Sequence, residues 1–140
     1  MALRAYYLGD TSALARSSHP AVAERLLPLL EAGLVARCSV TDLEAGFSST
    51  SPASHEALRQ IRAAWPFADI DQPILDRAVE VQDALAAQSQ HRGAKIADLI
   101  IAAAAEAAQL VVLHYDHDFG VIAGVTGQPV EWIVQPGSVP

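Results

Sequence analysis

The sequence predicts a three-layer α/β/α domain built on a mostly parallel central sheet. Three observations carry that expectation. Short apolar runs of strand length alternate along the chain with longer helical patterns. A chain of 140 residues with 51% hydrophobic content can bury one substantial core. No internal repeat and no long linker divides it, so residues 1–140 are expected to form a single domain.

Taken in order, Ala5-Tyr6-Tyr7-Leu8 reads as a buried strand, and Gly9-Asp10-Thr11-Ser12 is a cluster that ends strands and starts helices. Pro20 to Ala32 reads as a helix, with Pro20 in its first turn, a kink expected at Pro28 and Gly33 as the stop. Leu34 to Val40 supplies a second strand. Thr41-Asp42-Leu43-Glu44 then has the spacing of a capping box opening a short helix. Ser54 to Trp65 is helical and stops at Pro66, Phe67 to Ile70 is a candidate short strand, and Pro73 to Ala87 carries one apolar stripe. A polar loop from Gln88 to Gly93 precedes an apolar helix from Ile96 to Ala108, with Asp98 in its first turn. Leu110 to Leu113 is the next strand, Val121 to Gly124 a short helix, and Pro129 to Val134 a last strand before a Pro/Gly tail.

The net charge of −7 and pI of about 5.0 lack the basic signature of a nucleic-acid binder. A polyanionic substrate would have to be held locally, by metal ions and a few arginines. The one cysteine, Cys38, excludes an internal disulfide and a Cys-based metal site, and its usage suits a reducing cytosol. Met1 to Gly9 has no signal-peptide pattern, and the apolar run Leu99 to Ala105 falls far short of the roughly 20 residues that span a bilayer. A cytoplasmic protein without membrane attachment is expected.

Carboxylates at the carboxyl ends of strands in an open α/β sheet can converge although they are remote in sequence. Asp10, Glu44 and Asp116 follow predicted strands. Asp98 reaches the same edge if its helix runs antiparallel to them. Each has an ordinary alternative: Asp10 as an N-cap, Glu44 as the far half of a capping box, Asp98 as a cap or dipole partner, Asp116 as a turn former. Caps need no common location, whereas these four are expected at one sheet edge. Four clustered carboxylates repel unless cations compensate, and a hard divalent ion prefers oxygen ligands.

Other groups carry less. His114 and His117 have a spacing compatible with zinc but no cysteine partner nearby. There is no phosphate-binding P-loop and no Gly-x-Ser-x-Gly elbow. Thr11 and Ser12 read equally as caps or as hydroxyls serving the site beside Asp10. Arg92 and Lys95, just before Asp98, read either as a solvated loop or as phosphate contacts.

Four stretches resemble, in order and spacing, the motifs of PIN-domain ribonucleases. They are Leu8-Gly9-Asp10-Thr11-Ser12-Ala13-Leu14, Ser39-Val40-Thr41-Asp42-Leu43-Glu44, Lys95 to Ala104 around Ile96-Ala97-Asp98-Leu99, and Leu113-His114-Tyr115-Asp116-His117-Asp118-Phe119. The chain is most similar to the VapC toxins of bacterial toxin–antitoxin pairs, and Gly127 to Trp132 resembles the actinobacterial kind. The resemblance implies a PIN-like fold and a Mg²⁺-dependent or Mn²⁺-dependent endoribonuclease acting on cellular RNA such as tRNA or rRNA. It also implies a homodimer and inhibition by a cognate VapB antitoxin. By motif position it assigns Asp10, Glu44, Asp98 and Asp116 as catalytic and metal-binding acids, with Asp118 as an additional acid. Two positions depart from the pattern: Gly9, where an apolar residue is commoner, and His114, where the family often has Thr or Ser.

The expected reaction is metal-assisted, in-line hydrolysis of a phosphodiester, leaving a 5′-phosphate and a 3′-hydroxyl. Three alternatives stand beside it. A Mg²⁺-dependent phosphatase of the haloacid-dehalogenase kind would need a second Asp where Ser12 stands. A phosphoacceptor receiver would need paired acids after the first strand and a well-placed lysine, and Lys95 is the sole lysine. A non-catalytic PIN-fold interaction module would keep the acids without cleaving RNA.

Overall fold

Four short strands, β1 (Tyr7–Gly9), β2 (Val35–Ala36), β3 (Val111–His114) and β4 (Val130–Trp132), pair in the order β2-β1-β3-β4. Every pairing is parallel: Leu8 faces Ala36 on one side and Val112 on the other, and Leu113 faces Glu131. The computed structural model describes residues 4–140, so part of the Met1 to Gly9 reading lies outside the described residues. Parallel neighbours require crossover connections, supplied here by α1 (Thr11–Leu14), α2 (Pro20–Glu31), α3 (Ser39–Ser48), α4 (Pro52–Ala63), α5 (Gln72–Ala86), α6 (Ile96–Ala108) and α7 (Asp118–Thr126).

The residues of β2 and nearly all of β1 and β3 are apolar because both sheet faces are covered there, whereas the edge strand β4 is half-buried and carries Glu131, paired with Arg25. Side chains alternate between faces, and the core divides accordingly. Leu8, Ala36 and Val112 pack with Val81 and Leu85 of α5, Ile101 of α6 and Phe119 of α7. Val35 and Leu113 pack on the opposite face with Ala13, Val22 and Leu26. No helix among the described residues is long and apolar enough to cross a membrane.

The strand order creates a crevice. The chain leaving β1 leads to β2 on one side, while the chain leaving β3 leads to β4 on the other, so their exits diverge at the carboxyl ends of the two central strands. Asp10 follows β1 and Asp116 follows β3.

Several elements differ from expectation. The strand expected over 34–40 is reduced to Val35–Ala36, because Thr41 Oγ1 accepts from the Cys38 amide (3.0 Å) and donates to the Cys38 carbonyl (2.9 Å), starting α3 at Ser39. The capping box is thus Cys38 to Thr41, not Thr41 to Glu44. A second box, Ser51 with Ser54, starts α4 at Pro52, two residues earlier than the pattern indicates. Of 67–70 only Phe67 bridges, to Arg37. Helix α2, by contrast, matches the pattern, running from Pro20 through Pro28 to Glu31 with Ala32 as its C-cap. Helix α7 is longer than 121–124, its two glycines having weakened the helical signal.

Gly9 has a steric cause. A Cβ there would stand 2.8 Å from Val35 Cγ1 and 3.4 Å from Leu14 Cδ1, so the neighbouring strand's valine occupies the space that an apolar residue would need.

Candidate metal centre

Asp10 is fixed before its side chain acts. Its amide donates to the Leu113 carbonyl (2.9 Å), locking the β1 exit to β3. Its Oδ2 caps α1, accepting from the Ser12 amide (3.0 Å) and from the Ser12 hydroxyl. Ser12 Oγ in turn accepts from the Tyr115 amide (2.8 Å). Asp10 Oδ1 is left buried with no hydrogen-bond partner, in a residue only 3% exposed. Asp10 is therefore a cap through one oxygen and an unsatisfied acceptor through the other.

Asp98 arrives from α6. In that helix's first turn it is 4% exposed, and its Oδ2 is likewise buried without a hydrogen bond. Its apolar neighbours Leu99, Ile101 and Ala102 are buried and anchor the helix that carries it. After β3, the Asp118 amide donates to Asp116 Oδ1 (2.9 Å), turning the chain so that both carboxylates point back toward Asp98. One oxygen from each of Asp98, Asp116 and Asp118 lies within 4.8 Å of the others. Glu44, on α3, accepts from the Thr11 hydroxyl (2.9 Å) and stands beside the Asp10 turn, outside that group of three. The capping role read for Glu44 is excluded, since the box that starts its helix closes on Thr41.

The electrostatics follow from burial and crowding. Burial pushes the Asp10 carboxyl up, against the lowering effect of the Ser12 hydrogen bonds, and the charges of Glu44 and Asp116 add to the rise. Burial also pushes Asp98 up, to about 8, with the Asp10 charge adding to the rise and Lys95 opposing it. Burial acts on Asp116 in the same sense, but the Asp118 amide and the Lys95 ammonium outweigh it and hold that carboxyl below its ordinary value. Two unsatisfied buried oxygens among mutually repelling carboxylates suit a hard cation with oxygen preference.

Of the proposed substrate contacts, Thr11 and Ser12 are engaged within the site, as described. Arg92 is exposed in the loop before α6 and makes no ion pair among the described residues. Lys95 reaches into the acids: its Nζ is 2.9 Å from Asp116 Oδ2 and 3.0 Å from Asp118 Oδ2. His114 is buried against Phe119 and Trp132, and its Nδ1 accepts from the Asp116 amide (3.2 Å). Burial lowers its pKa to about 4. His117 is exposed and packs on the same Trp132 ring, so the two imidazoles share one aromatic neighbour while only His114 is buried. Arg16, which sequence reasoning passed over, donates to the Ser12 carbonyl (2.6 Å) and lies over the Tyr115 ring. Its position four residues after Ser12, one turn on, was the available signal.

Comparison with known proteins gives consistent matches. The PIN domain family matches residues 7–125. Ribonuclease VapC21 of Mycobacterium tuberculosis is 49% identical over 133 residues, covering 94% of this chain and 96% of the relative. Ribonuclease VapC51 of the same organism is 49% identical over 139 residues, covering 99% of each chain. Among solved structures, a chain of the DNA-bound VapBC complex from Salmonella typhimurium superposes with a TM-score of 0.76 at 18% identity, covering 93% of this chain and 99% of that one. A chain of VapBC-5 from Mycobacterium tuberculosis gives 0.61 at 22% identity, covering 92% and 98%.

Proposed function

This chain belongs to the PIN-domain family, and on that premise we propose that it is a VapC-type endoribonuclease toxin whose site is Asp10, Glu44, Asp98 and Asp116, assisted by Asp118, acting with Mg²⁺ or Mn²⁺. The observation that carries the site assignment is that two buried oxygens, Asp10 Oδ1 after β1 and Asp98 Oδ2 in the first turn of α6, have no hydrogen bond, Asp98 Oδ2 being met only by the Lys95 ammonium at 3.7 Å. A buried acceptor without a hydrogen bond costs about 1–3 kcal/mol, more if charged, and the Asp10 charge acts on Asp98, although Asp10 stands outside the group formed by Asp98, Asp116 and Asp118.

Asp10, Asp98 and Asp116 are the residues that would hold the ion, with Asp118 beside them and Glu44 at the Asp10 side. When bound, a hard divalent ion supplies Lewis-acid stabilisation of phosphoryl charge and a nucleophilic water at neutral pH. The chain's own contribution is positional. Ser12 orients Asp10, Thr11 orients Glu44, and the Asp118 amide orients Asp116. With a net charge of −7, RNA is held by local contacts, for which Arg92 is an exposed candidate, and binding weakens with salt.

Neutralisation by a VapB-type antitoxin is supported by a groove between α3 and α4. Leu43 is 73% and Phe47 92% exposed there, and Thr11 and Glu44 line the same groove. An antitoxin segment seated in it would cover apolar side chains and lie beside the acids. A homodimeric, cytoplasmic protein forming one domain over residues 1–140 completes the proposal.

The test is cleavage of purified tRNA and rRNA by the clean protein. Cleavage with Mg²⁺ or Mn²⁺, stopped by EDTA and reduced at least about 100-fold by Asp10→Asn or Asp98→Asn, is expected, with 5′-phosphate and 3′-hydroxyl ends. Undiminished cleavage in either variant removes the site from this account. Absence of any metal-dependent cleavage by the folded protein favours a non-catalytic interaction module.

A further inference from the structure

Lys95 is the only lysine in the chain, and its ammonium lies among the three carboxylates whose oxygens come within 4.8 Å of one another. Its Nζ stands 2.9 Å from Asp116 Oδ2, 3.0 Å from Asp118 Oδ2 and 3.7 Å from Asp98 Oδ2. The backbone is held independently of the side chain, since the Lys95 amide donates to Asp118 Oδ2 (3.3 Å) at the start of α6. The side chain itself is 67% exposed, so the ammonium can swing into solvent without any movement of helix or strand.

We infer that Lys95 is the resident counter-ion of this acidic cluster and that a divalent ion enters by displacing it. The inference rests on the metal-binding role proposed above for Asp98 and Asp116, with Asp118 beside them. A monovalent ammonium and a divalent cation within one cluster of this size repel each other, so the two occupy it in turn. The metal-free protein then tolerates its crowded acids because Lys95 neutralises part of their charge, and the metal gains its place only after overcoming three ionic contacts. Since the side chain is exposed, those contacts are screened and modest, which leaves the exchange reversible. Lys95 therefore sets the metal concentration at which the site fills.

The experiment is Mn²⁺ titration of the purified full chain, comparing wild type with Lys95→Gln, Lys95→Met, Lys95→Arg and Asp98→Asn. Arg59→Gln, which removes an equal charge from an exposed position on α4, serves as control. Lys95→Gln and Lys95→Met are expected to bind Mn²⁺ about tenfold more tightly, with Lys95→Arg and Arg59→Gln close to wild type. Equal or weaker binding in both neutral variants overturns the inference, because the lysine would then be positioning the acids. Wild type that binds no Mn²⁺, or binds it no better than Asp98→Asn, defeats the metal-site reading itself.

A second readout needs no mutation. In protein labelled at the lysine side chain, the single Lys95 ammonium signal is expected to move to the position of a solvent-exposed lysine on saturation with Mg²⁺. A signal that stays in place, with Mg²⁺ bound, overturns the displacement.

Discussion

The Ser12 hydroxyl donates to Asp10 Oδ2 while accepting from the Tyr115 amide at 2.8 Å, so one side chain ties the exit of β1 to the exit of β3. Ser12→Ala would leave the Tyr115 amide without its acceptor and Asp10 with only the backbone cap. A stability loss of about 1–2 kcal/mol in urea denaturation is expected, with RNA cleavage slowed about tenfold through misorientation of Asp10. Wild-type cleavage by a stable Ser12→Ala protein would show that this tie does not position the carboxylate.

Gly9 makes room for Val35. Gly9→Ala is expected to destabilise by about 1–3 kcal/mol, and Val35→Ala in the same chain to recover part of that loss by opening the space at Cγ1. A double-mutant cycle in chemical denaturation measures the coupling. Additive losses would mean that the two side chains do not compete for that space.

Asp98 links metal to pH. Its folded carboxyl is raised to about 8, from an ordinary value of 3.8, so the metal-free fold holds this proton more tightly than the unfolded chain does. That stabilisation is complete below the unfolded value and is lost as pH rises through about 8. Melting in EDTA is therefore expected to fall between pH 6 and pH 8.5, with Mg²⁺ restoring stability at the upper end, where the carboxylate is ionised and ready to bind. Asp98→Asn should flatten the EDTA profile. An equally steep profile in that variant would place the effect elsewhere.

His114 works in the opposite sense. Burial lowers it to about 4 from 6.5, so its stabilising contribution is present above the unfolded value and lost as pH falls from 6.5 toward 4. The loss amounts to about 3 kcal/mol at most. Comparing wild type with His114→Gln in urea at pH 7 and pH 4.5 isolates this term from the carboxylates. The difference between the two proteins should shrink or reverse at the lower pH.

How far the sequence discloses the site depends on which physical signal each part leaves. Alternation of apolar runs with helical patterns is enough for the layered parallel sheet, because strands buried on both faces read as unbroken apolar segments. Asp10 and Asp116 are visible because they directly follow such segments. Asp98 is visible only through topology, with α6 leading back into β3. The start of α3 is hidden, since 34–40 is apolar throughout and periodicity cannot separate a short strand from the first turn of a buried helix. The position of Lys95 is hidden for a different reason. Its loop placement suggests solvent or phosphate, while its observed partners Asp116 and Asp118 lie 21 and 23 residues away and meet it only through the packing of α6 beside β3. The buried Arg62, bonded to Asp42 and Thr41, is equally silent in the sequence because its helix presents many polar residues and its partners come from α3.

The Asp10 and Asp98 oxygens that lack hydrogen bonds are proposed to share one divalent ion. Crystals grown or soaked with Mn²⁺ and measured near the manganese absorption edge locate that ion directly. An anomalous peak within coordination distance of both Asp10 and Asp98, absent in Asp98→Asn crystals, is the predicted result. A crystal saturated with Mn²⁺ whose peak lies elsewhere, with those two carboxylates still unliganded, would contradict the account.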